Sequence, residues 1–404
     1  MNDFSRKKMF MEELGYIITQ LIEEEQENAV EEILKHVFES IMKIEREQFI
    51  STNNSKPNKC NGFYKRMARV INHYFEIKVP RDRLGYFRPI FLDYLRDKEA
   101  QMDELAFKMY VKGLSTRDIE SIFKEVYSQS YSASRITAMA KEFEVVRQEW
   151  LERRLCESYY FLYIDAIRLN VRRDTVEKEC FYTVIGVRKD LRRDILGVYN
   201  IPQESAEGWR SVFSDLKRRG LNKVLMVISD ELSGIEEVTR EYYPGALHQF
   251  CIAHKKRNLR KKIRLSDREE FERDLKELFR VGDSSYSIEQ AKKSLETFII
   301  KWQKKYRWIR RKFNSNNVEC YFSYLKFPYM IQTMIYTTNT VERLNKSIRK
   351  STRNKNSFPT PDSALTLVCA ALMEIEEKTY SYPVTAFASC REVLDNMLAK
   401  LRHN

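Results

Sequence analysis

Three acidic residues stand where an unpaired charge is costly. Asp165 lies inside Tyr159-Tyr160-Phe161-Leu162-Tyr163-Ile164-Asp165-Ala166-Ile167-Arg168-Leu169, an aromatic and β-branched run that reads as a buried strand. Asp230 ends a second apolar run, Val224-Leu225-Met226-Val227-Ile228-Ser229-Asp230, and Glu342 opens a helical stretch, Thr340-Val341-Glu342-Arg343-Leu344-Asn345-Lys346. An ionised carboxylate in a buried run is destabilising unless it is paired or holds a cation. We therefore read the three as one divalent-metal site. Carboxylate oxygens suit Mg²⁺ or Mn²⁺ and do not select Zn²⁺, and two such ions about 4 Å apart would stabilise charge and activate an oxygen nucleophile in phosphodiester cleavage. In a chain with 58 acids, three carboxylates carry weight only through their contexts of mid-strand, strand end and helix start. Glu342 has a competing role, because Asn339-Thr340-Val341-Glu342 has capping-box spacing and Lys346 and Arg349 share its helical face.

The elements that must position these acids can be read from periodicity. Strand-like runs at 159–171, 180–188 and 194–201, joined by charged turns, predict an antiparallel meander. A helix from Ser205 to Arg219 places Trp209, Val212, Phe213 and Leu216 on one side and stops at Gly220. The run 224–228 is apolar throughout, which predicts a central strand covered on both faces with Asp230 at its carboxyl end, where α/β sheets bind ligands. Residues 248–254 close the sheet, and 255–313 are helical and basic. Residues 322–335, with a Phe327-Pro328 turn, return the chain to the helix of Glu342, and an amphipathic stretch at 364–378 follows.

Upstream, residues 6–49 predict two helices, with Ile33, Leu34, Val37, Phe38, Ile41 and Ile44 at three- and four-residue steps and an acidic outer face suited to self-association. A polar loop at 51–58 precedes a short β-hairpin with a basic tip within 63–87. After a helix at 93–112, Ser115 and Asp118 have capping-box spacing, and Ser132-Ala133-Ser134 opens a further short helix with Ile136, Met139 and Phe143 inward. Two short helices with a small polar turn match a helix-turn-helix reader, with Arg117, Ser134 and Arg135 placed to meet DNA.

Charge supports a polyanionic partner. The chain holds 71 Lys and Arg against 58 Asp and Glu, a formal +13. Residues 1–50 carry 6 basic and 12 acidic groups, whereas 248–312 carry 20 basic and 9 acidic. Nucleic acid is the partner this asymmetry suggests, with Lys255, Lys256, Arg260 and Lys261 in the basic stretch and Lys346, Arg349 and Lys350 on the Glu342 helix as contacts. No apolar run approaches a membrane span, no signal-peptide core opens the chain, and seven scattered cysteines without a Cys-x-x-Cys pair suit reduced thiols, so a cytoplasmic protein is expected. His248, Cys251 and His254 lack an obvious fourth zinc ligand, which favours packing over metal. Trp302 and Trp308 suit an aromatic core better than stacking on a flipped base.

At this point the chain resembles the bacterial insertion-sequence transposases of the Mutator type. The resemblance is carried by Tyr163-Ile164-Asp165, Ile195-Leu196-Gly197, Glu204-Ser205-Ala206-Glu207-Gly208-Trp209, Leu216-Lys217-Arg218-Arg219-Gly220-Leu221, Ser229-Asp230, Tyr243-Pro244-Gly245-Ala246, Phe327-Pro328 and Ile335-Tyr336-Thr337-Thr338-Asn339-Thr340-Val341-Glu342-Arg343-Leu344-Asn345. Val79-Pro80-Arg81-Asp82-Arg83 and Gly113-Leu114-Ser115-Thr116-Arg117-Asp118-Ile119 extend it upstream. It implies an Asp-Asp-Glu site of Asp165, Asp230 and Glu342 on a ribonuclease-H-like mixed sheet interrupted by an all-helical insertion. It further implies nicking of DNA at terminal inverted repeats, strand transfer by the freed 3′-hydroxyl, a homodimer on DNA, and a Cys-x-x-His pair at Cys251 and His254. Ala166, Glu231, Phe313 and Val318 depart from residues common in the family.

The expected class is thus a multidomain α+β and α/β chain. A helical region spans 1–50, a hairpin region 51–92 and a helix-turn-helix domain 93–150. The ribonuclease-H-like core occupies 151–254 and 322–404, the latter with C-terminal helices, around the insertion at 255–321. A catalytically silent DNA-binding regulator and a nuclease of the same fold are the alternatives to a transposase.

Overall fold

Strand β3 (Ser158–Arg172) is the axis of the larger sheet, and its composition explains why: every residue from Tyr159 to Asp165 is buried, as only a central strand allows. In this computed structural model the residues described are 29–52, 58–70, 73–127, 132–201, 205–313, 315–353 and 355–401, with 15, 16 and 19. They divide into two units, 1–110 with 114–140, and 111–113 with 141–404.

In the larger unit, β3, β4 (Val176–Val187) and β5 (Arg193–Asn200) form the antiparallel meander expected from the sequence. Strands β6 (Lys223–Ser229) and β7 (Leu247–Phe250) add to the other edge of β3, both parallel, giving the order β5-β4-β3-β6-β7. The unit is therefore mixed α and β. One face is covered by α5 (Ala206–Arg218) and α6 (Ile235–Tyr242). Trp209 meets Tyr182 edge-on at 4.9 Å, and Val212, Phe213 and Leu216 pack with Leu162, Ile164 and Val227, each such burial being worth roughly 1.5–3 kcal/mol. Gly220, at φ 110°, ends α5: its N–H and that of Leu221 return to the carbonyls of Lys217 and Leu216.

The opposite face of β3 meets the C-terminal part of the chain. Phe161 packs between Phe327 and Phe387, both at 5.4 Å, and the Tyr163 hydroxyl donates to the Met334 carbonyl at 3.0 Å. From Ile252 to Ile335 every described element is helical: α7 (Ile252–Arg260), α8 (Arg268–Leu278), α9 (Ile288–Gln303), a series of 3-10 turns, and α10 (Gln332–Ile335). Helices α11 (Asn339–Thr352), α12 (Pro361–Ile375) and α13 (Arg391–Ala399) complete it. No described helix is long and apolar enough to cross a membrane.

The smaller unit has two cores. Phe38 and Met42 of α1 (Ala29–Thr52) pack on Phe75, Ile77 and Val79 of a hairpin, β1 (Cys60–Val70) with β2 (His73–Asp82). Alternation puts those three β2 residues on one face. Val70 pairs with His73, so the chain reverses between them. The basic run from Lys78 therefore lies at the end opposite the turn, not at the tip as expected, and the strands are 11 and 10 residues long, not short. The second core joins α2 (Ile90–Val111), α3 (Thr116–Tyr127) and α4 (Ala133–Glu152) through Ala106, Ile119, Phe123 and Ile136. Ser115 and Asp118 form the expected reciprocal cap: the Asp118 N–H donates to Ser115 Oγ at 3.1 Å and the Ser115 N–H to Asp118 Oδ2 at 2.8 Å. Helix α4 is 20 residues rather than short, because 133–152 contains no Gly or Pro to stop it. The first of the two helices expected at 6–49 falls largely outside the described residues.

Candidate active site

Parallel pairing brings two of the three acids together. Ile164 of β3 stands opposite Ser229 of β6, so the next positions, Asp165 and Asp230, are neighbours across strands that run about 4.8 Å apart. Helix α11 supplies the third carboxylate and a tether: Asn345, one turn after Glu342, donates from Nδ2 to Asp165 Oδ2 at 2.9 Å. Asp165 Oδ1 accepts the Ala166 N–H at 2.9 Å.

His254 stands between the other two acids. Its Nδ1 is in ion-pair contact with Asp230 Oδ1, and its Nε2 lies 2.9 Å from Glu342 Oε1. The same Glu342 oxygen accepts from the Arg257 guanidinium at 2.8 Å. Burial alone would pull the His254 imidazole down, but hydrogen bonds to Asp230 and Cys251 outweigh it and lift the pKa to about 10. Burial, with the nearby Asp230 charge, pushes Asp165 up to about 6. Carboxylates crowded this closely repel, and His254 and Arg257 supply the compensating positive charge.

Glu342 does not close a capping box. Thr338 is the N-cap of α11, one residue earlier than the spacing suggests, and makes no side-chain cap bond. The Glu342 carboxylate turns to His254 and Arg257 instead. The residues before it have a different task. Cys251 Sγ accepts from the Thr338 N–H at 3.3 Å and from its hydroxyl at 3.2 Å, while the Ile252 N–H donates to the Tyr336 carbonyl at 3.0 Å. Cys251 thus fixes the start of α11 against α7, and His254 one turn on reaches both acids. His248 is elsewhere, fully buried, its ring nitrogens 3.1 Å from Ser229 Oγ and 3.4 Å from Thr239 Oγ1, and burial holds its pKa down to about 3. The third donor near Cys251 and His254 is Asp230, all within 4.8 Å of one another.

The acids line an open cleft of about 590 Å³ whose rim carries Arg168, Arg257, Lys346 and Arg349. Lys350 is exposed on the same helix as the last two, and Lys261 is exposed at the end of α7. Arg260 is exposed but paired with Glu272. Lys256 is half-buried, 5.6 Å from the Phe279 ring. Lys255 overturns its expected surface role. It is 4% exposed, bonded to Glu231, the Lys312 carbonyl and the Tyr321 hydroxyl, with the Phe313 and Tyr321 rings each 4.6 Å away, so it has no free surface for a phosphate. Trp302 is buried, with Nε1 donating to Asp274 at 2.8 Å, and Trp308 is half-buried. In the other unit Arg117 and Ser134 are exposed, while Arg135 forks onto Asp103 at 2.8 and 2.6 Å. Asn345, Arg257 and Arg168 were not singled out from sequence. The first two sit one helical turn beyond Glu342 and His254, a signal that can be read only once those residues are placed.

Three carboxylates thus converge in an open cleft rimmed by Arg and Lys side chains. Residues 7–381 match the family described as transposase, Mutator family, and the chain belongs to that family, whose members cut and transfer DNA. The chain is 30% identical over 359 residues to the transposase for insertion sequence element IS256 in transposon Tn4001 of Staphylococcus aureus, covering 86% of this chain and 90% of that protein. It is 29% identical over 340 residues to the IS905 transposase of Lactococcus lactis, covering 84% and 85%. The IS1201 transposase of Lactobacillus helveticus is 28% identical over 311 residues, covering 77% and 83%.

Proposed function

We propose that this protein is an Asp-Asp-Glu DNA transposase that binds the terminal inverted repeats of its own insertion sequence and performs Mg²⁺- or Mn²⁺-dependent cleavage and strand transfer. The observation that carries the reading is the convergence of Asp165, Asp230 and Glu342 from β3, the end of β6 and α11 on one cleft. The sheet order, with three antiparallel strands followed by two parallel ones, supports a ribonuclease-H-like core interrupted by the helices between β7 and α11. The capped pair α3 and α4 supports a helix-turn-helix reader of the element ends. A homodimer follows from the need to hold two ends.

The donor set fits a hard divalent cation. It consists of carboxylate oxygens brought to one cleft from β3, the end of β6 and a helix. The one soft donor nearby, Cys251 Sγ, is already engaged by Thr338. Asp165, Asp230 and Glu342 would hold the cation, which when bound would neutralise charge at the scissile phosphate and lower the pKa of the attacking hydroxyl or water. Asn345 keeps the Asp165 carboxylate turned toward the cleft. Cys251, through Thr338, keeps Glu342 in reach. Lys346, Arg349 and Arg168 bind the phosphates of the strand that enters.

Incubating a supercoiled plasmid carrying the element ends with purified protein should give nicked DNA only when Mg²⁺ or Mn²⁺ is present. A protein that binds the ends tightly but never nicks would instead be a regulator, and one that nicks without joining would be a nuclease. A second measurement sorts the lysines. Replacing Lys346, Arg349 and Lys350 by Gln should flatten the plot of log affinity against log salt by up to about 0.9 for each phosphate no longer neutralised. Lys255→Met should leave that slope unchanged and lower the melting temperature, because it strands buried partners.

A further inference from the structure

Building on the reading of Asp165, Asp230 and Glu342 as cation ligands, we infer that Arg257 is a phosphate-binding residue. It exchanges Glu342 for the scissile phosphate, and the exchange couples DNA binding to divalent-cation binding. Four Arg and Lys side chains rim the cleft. Three of them, Arg168, Lys346 and Arg349, have no side-chain hydrogen bond or ion pair among the described residues. Arg257 alone of the four is tied to a ligand carboxylate, at 2.8 Å from Glu342 Oε1, an oxygen that His254 also approaches to 2.9 Å. Its side chain is 49% exposed against 20% for Glu342, so the guanidinium meets the acid from the open side of the cleft.

An oxygen held by a guanidinium is a poor ligand, since a hard cation needs its lone pairs and repels a neighbouring positive charge. Cation binding at Glu342 is therefore opposed by Arg257, which shares Oε1 with His254. The displaced fork then needs an anion beside the same carboxylates, and the scissile phosphate is the one that must lie there for cleavage. Guanidinium and phosphate match in a bidentate geometry that a lysine cannot copy. Without DNA, the Arg257 pair competes with the cation. With DNA, the phosphate takes Arg257 and removes one of the two cationic partners of Glu342 Oε1. Linkage makes the effect mutual: each ligand tightens the other.

Calorimetric titration of the full chain with Ca²⁺, with and without a short duplex carrying the element end and with the duplex alone as blank, tests this. In the wild type, DNA should tighten Ca²⁺ binding about tenfold. Arg257→Gln, which is half-exposed and expected to fold, should bind Ca²⁺ about threefold tighter than wild type without DNA and lose most of the DNA-induced gain. Arg349→Gln removes an equal charge from the same cleft but no pair to Glu342, so it should weaken duplex binding yet keep the gain once the duplex is saturating. An Arg257→Gln protein that retains the full gain, or that binds Ca²⁺ no tighter than wild type alone, would overturn the exchange. Glu342→Gln separates the levels: unchanged Ca²⁺ affinity in that variant would overturn the ligand assignment itself.

Discussion

Glu342→Gln should retain the fold and the DNA affinity of the wild type while losing Mg²⁺-dependent nicking and strand transfer by several orders of magnitude. The substitution preserves the size of the side chain and its capacity to accept from Arg257 and His254, both of which face Glu342 Oε1 in the structure. It removes the negative charge that a hard cation requires. A capping role would predict otherwise, since Gln serves as well as Glu in a capping box, but Glu342 makes no such cap here. Nicking assays on supercoiled DNA, with circular dichroism and DNA-binding isotherms run on the same preparation, check the three parts together. Near-normal nicking by a well-folded variant would remove Glu342 from the site.

The second large effect reverses the usual direction of a buried-site mutation. Asp165→Asn should abolish nicking yet stabilise the cation-free protein at neutral and alkaline pH. Burial and the adjacent Asp230 raise the Asp165 pKa to about 6, against about 3.9 in an unfolded chain. Between about pH 4 and pH 6 the folded protein keeps a proton that the unfolded chain has lost, so wild-type stability falls as pH rises through that window and stays lowered above it. Two pKa units correspond to about 3 kcal/mol. Asn carries no charge and so escapes this penalty, at the smaller cost of one of the two hydrogen bonds that Asp165 accepts from Asn345 and the Ala166 N–H. Thermal melts in EDTA should place the variant roughly 5 °C or more above wild type at pH 8, the difference shrinking toward pH 4. Adding Mg²⁺ should raise the wild type and leave the variant where it was. A variant that melts below wild type at pH 8 in EDTA would mean that Asp165 is satisfied without a cation.

Both expectations rest on the proposal that this site trades stability for function. Asp165 places a carboxylate at a buried position in an otherwise apolar strand run. Such local violations are where function is expected. Lys255 is the contrasting case. Its charge is as buried as Asp165, but three hydrogen bonds and two aromatic rings satisfy it, so it reads as a tie between α7 and the returning chain near Tyr321 and not as a reactive group.

The sequence by itself determined the strands and the helix at 205–219, because apolar and β-branched runs mark the strands, a three- to four-residue repeat marks the helix, and Gly220 marks its stop. It also singled out Asp165 and Asp230, since a lone acid in an apolar run is anomalous without any knowledge of neighbours. Only the tertiary structure decided what surrounds them. Parallel pairing of Ile164 with Ser229 makes the two acids neighbours, and strand register is a long-range property that no local window contains. The fate of the lysines was hidden for the same reason. Lys255 and Lys261 lie in one basic helical run, yet α7 turns the first into a cage formed by Tyr321 and Phe313 from far along the chain and leaves the second in solvent. Periodicity tells which residues share a helix face, but the partner that covers the face comes from elsewhere in the chain. That is why Arg257 and Asn345, and the contacts of His254 with two of the acids, emerged only when the strands and helices were brought together.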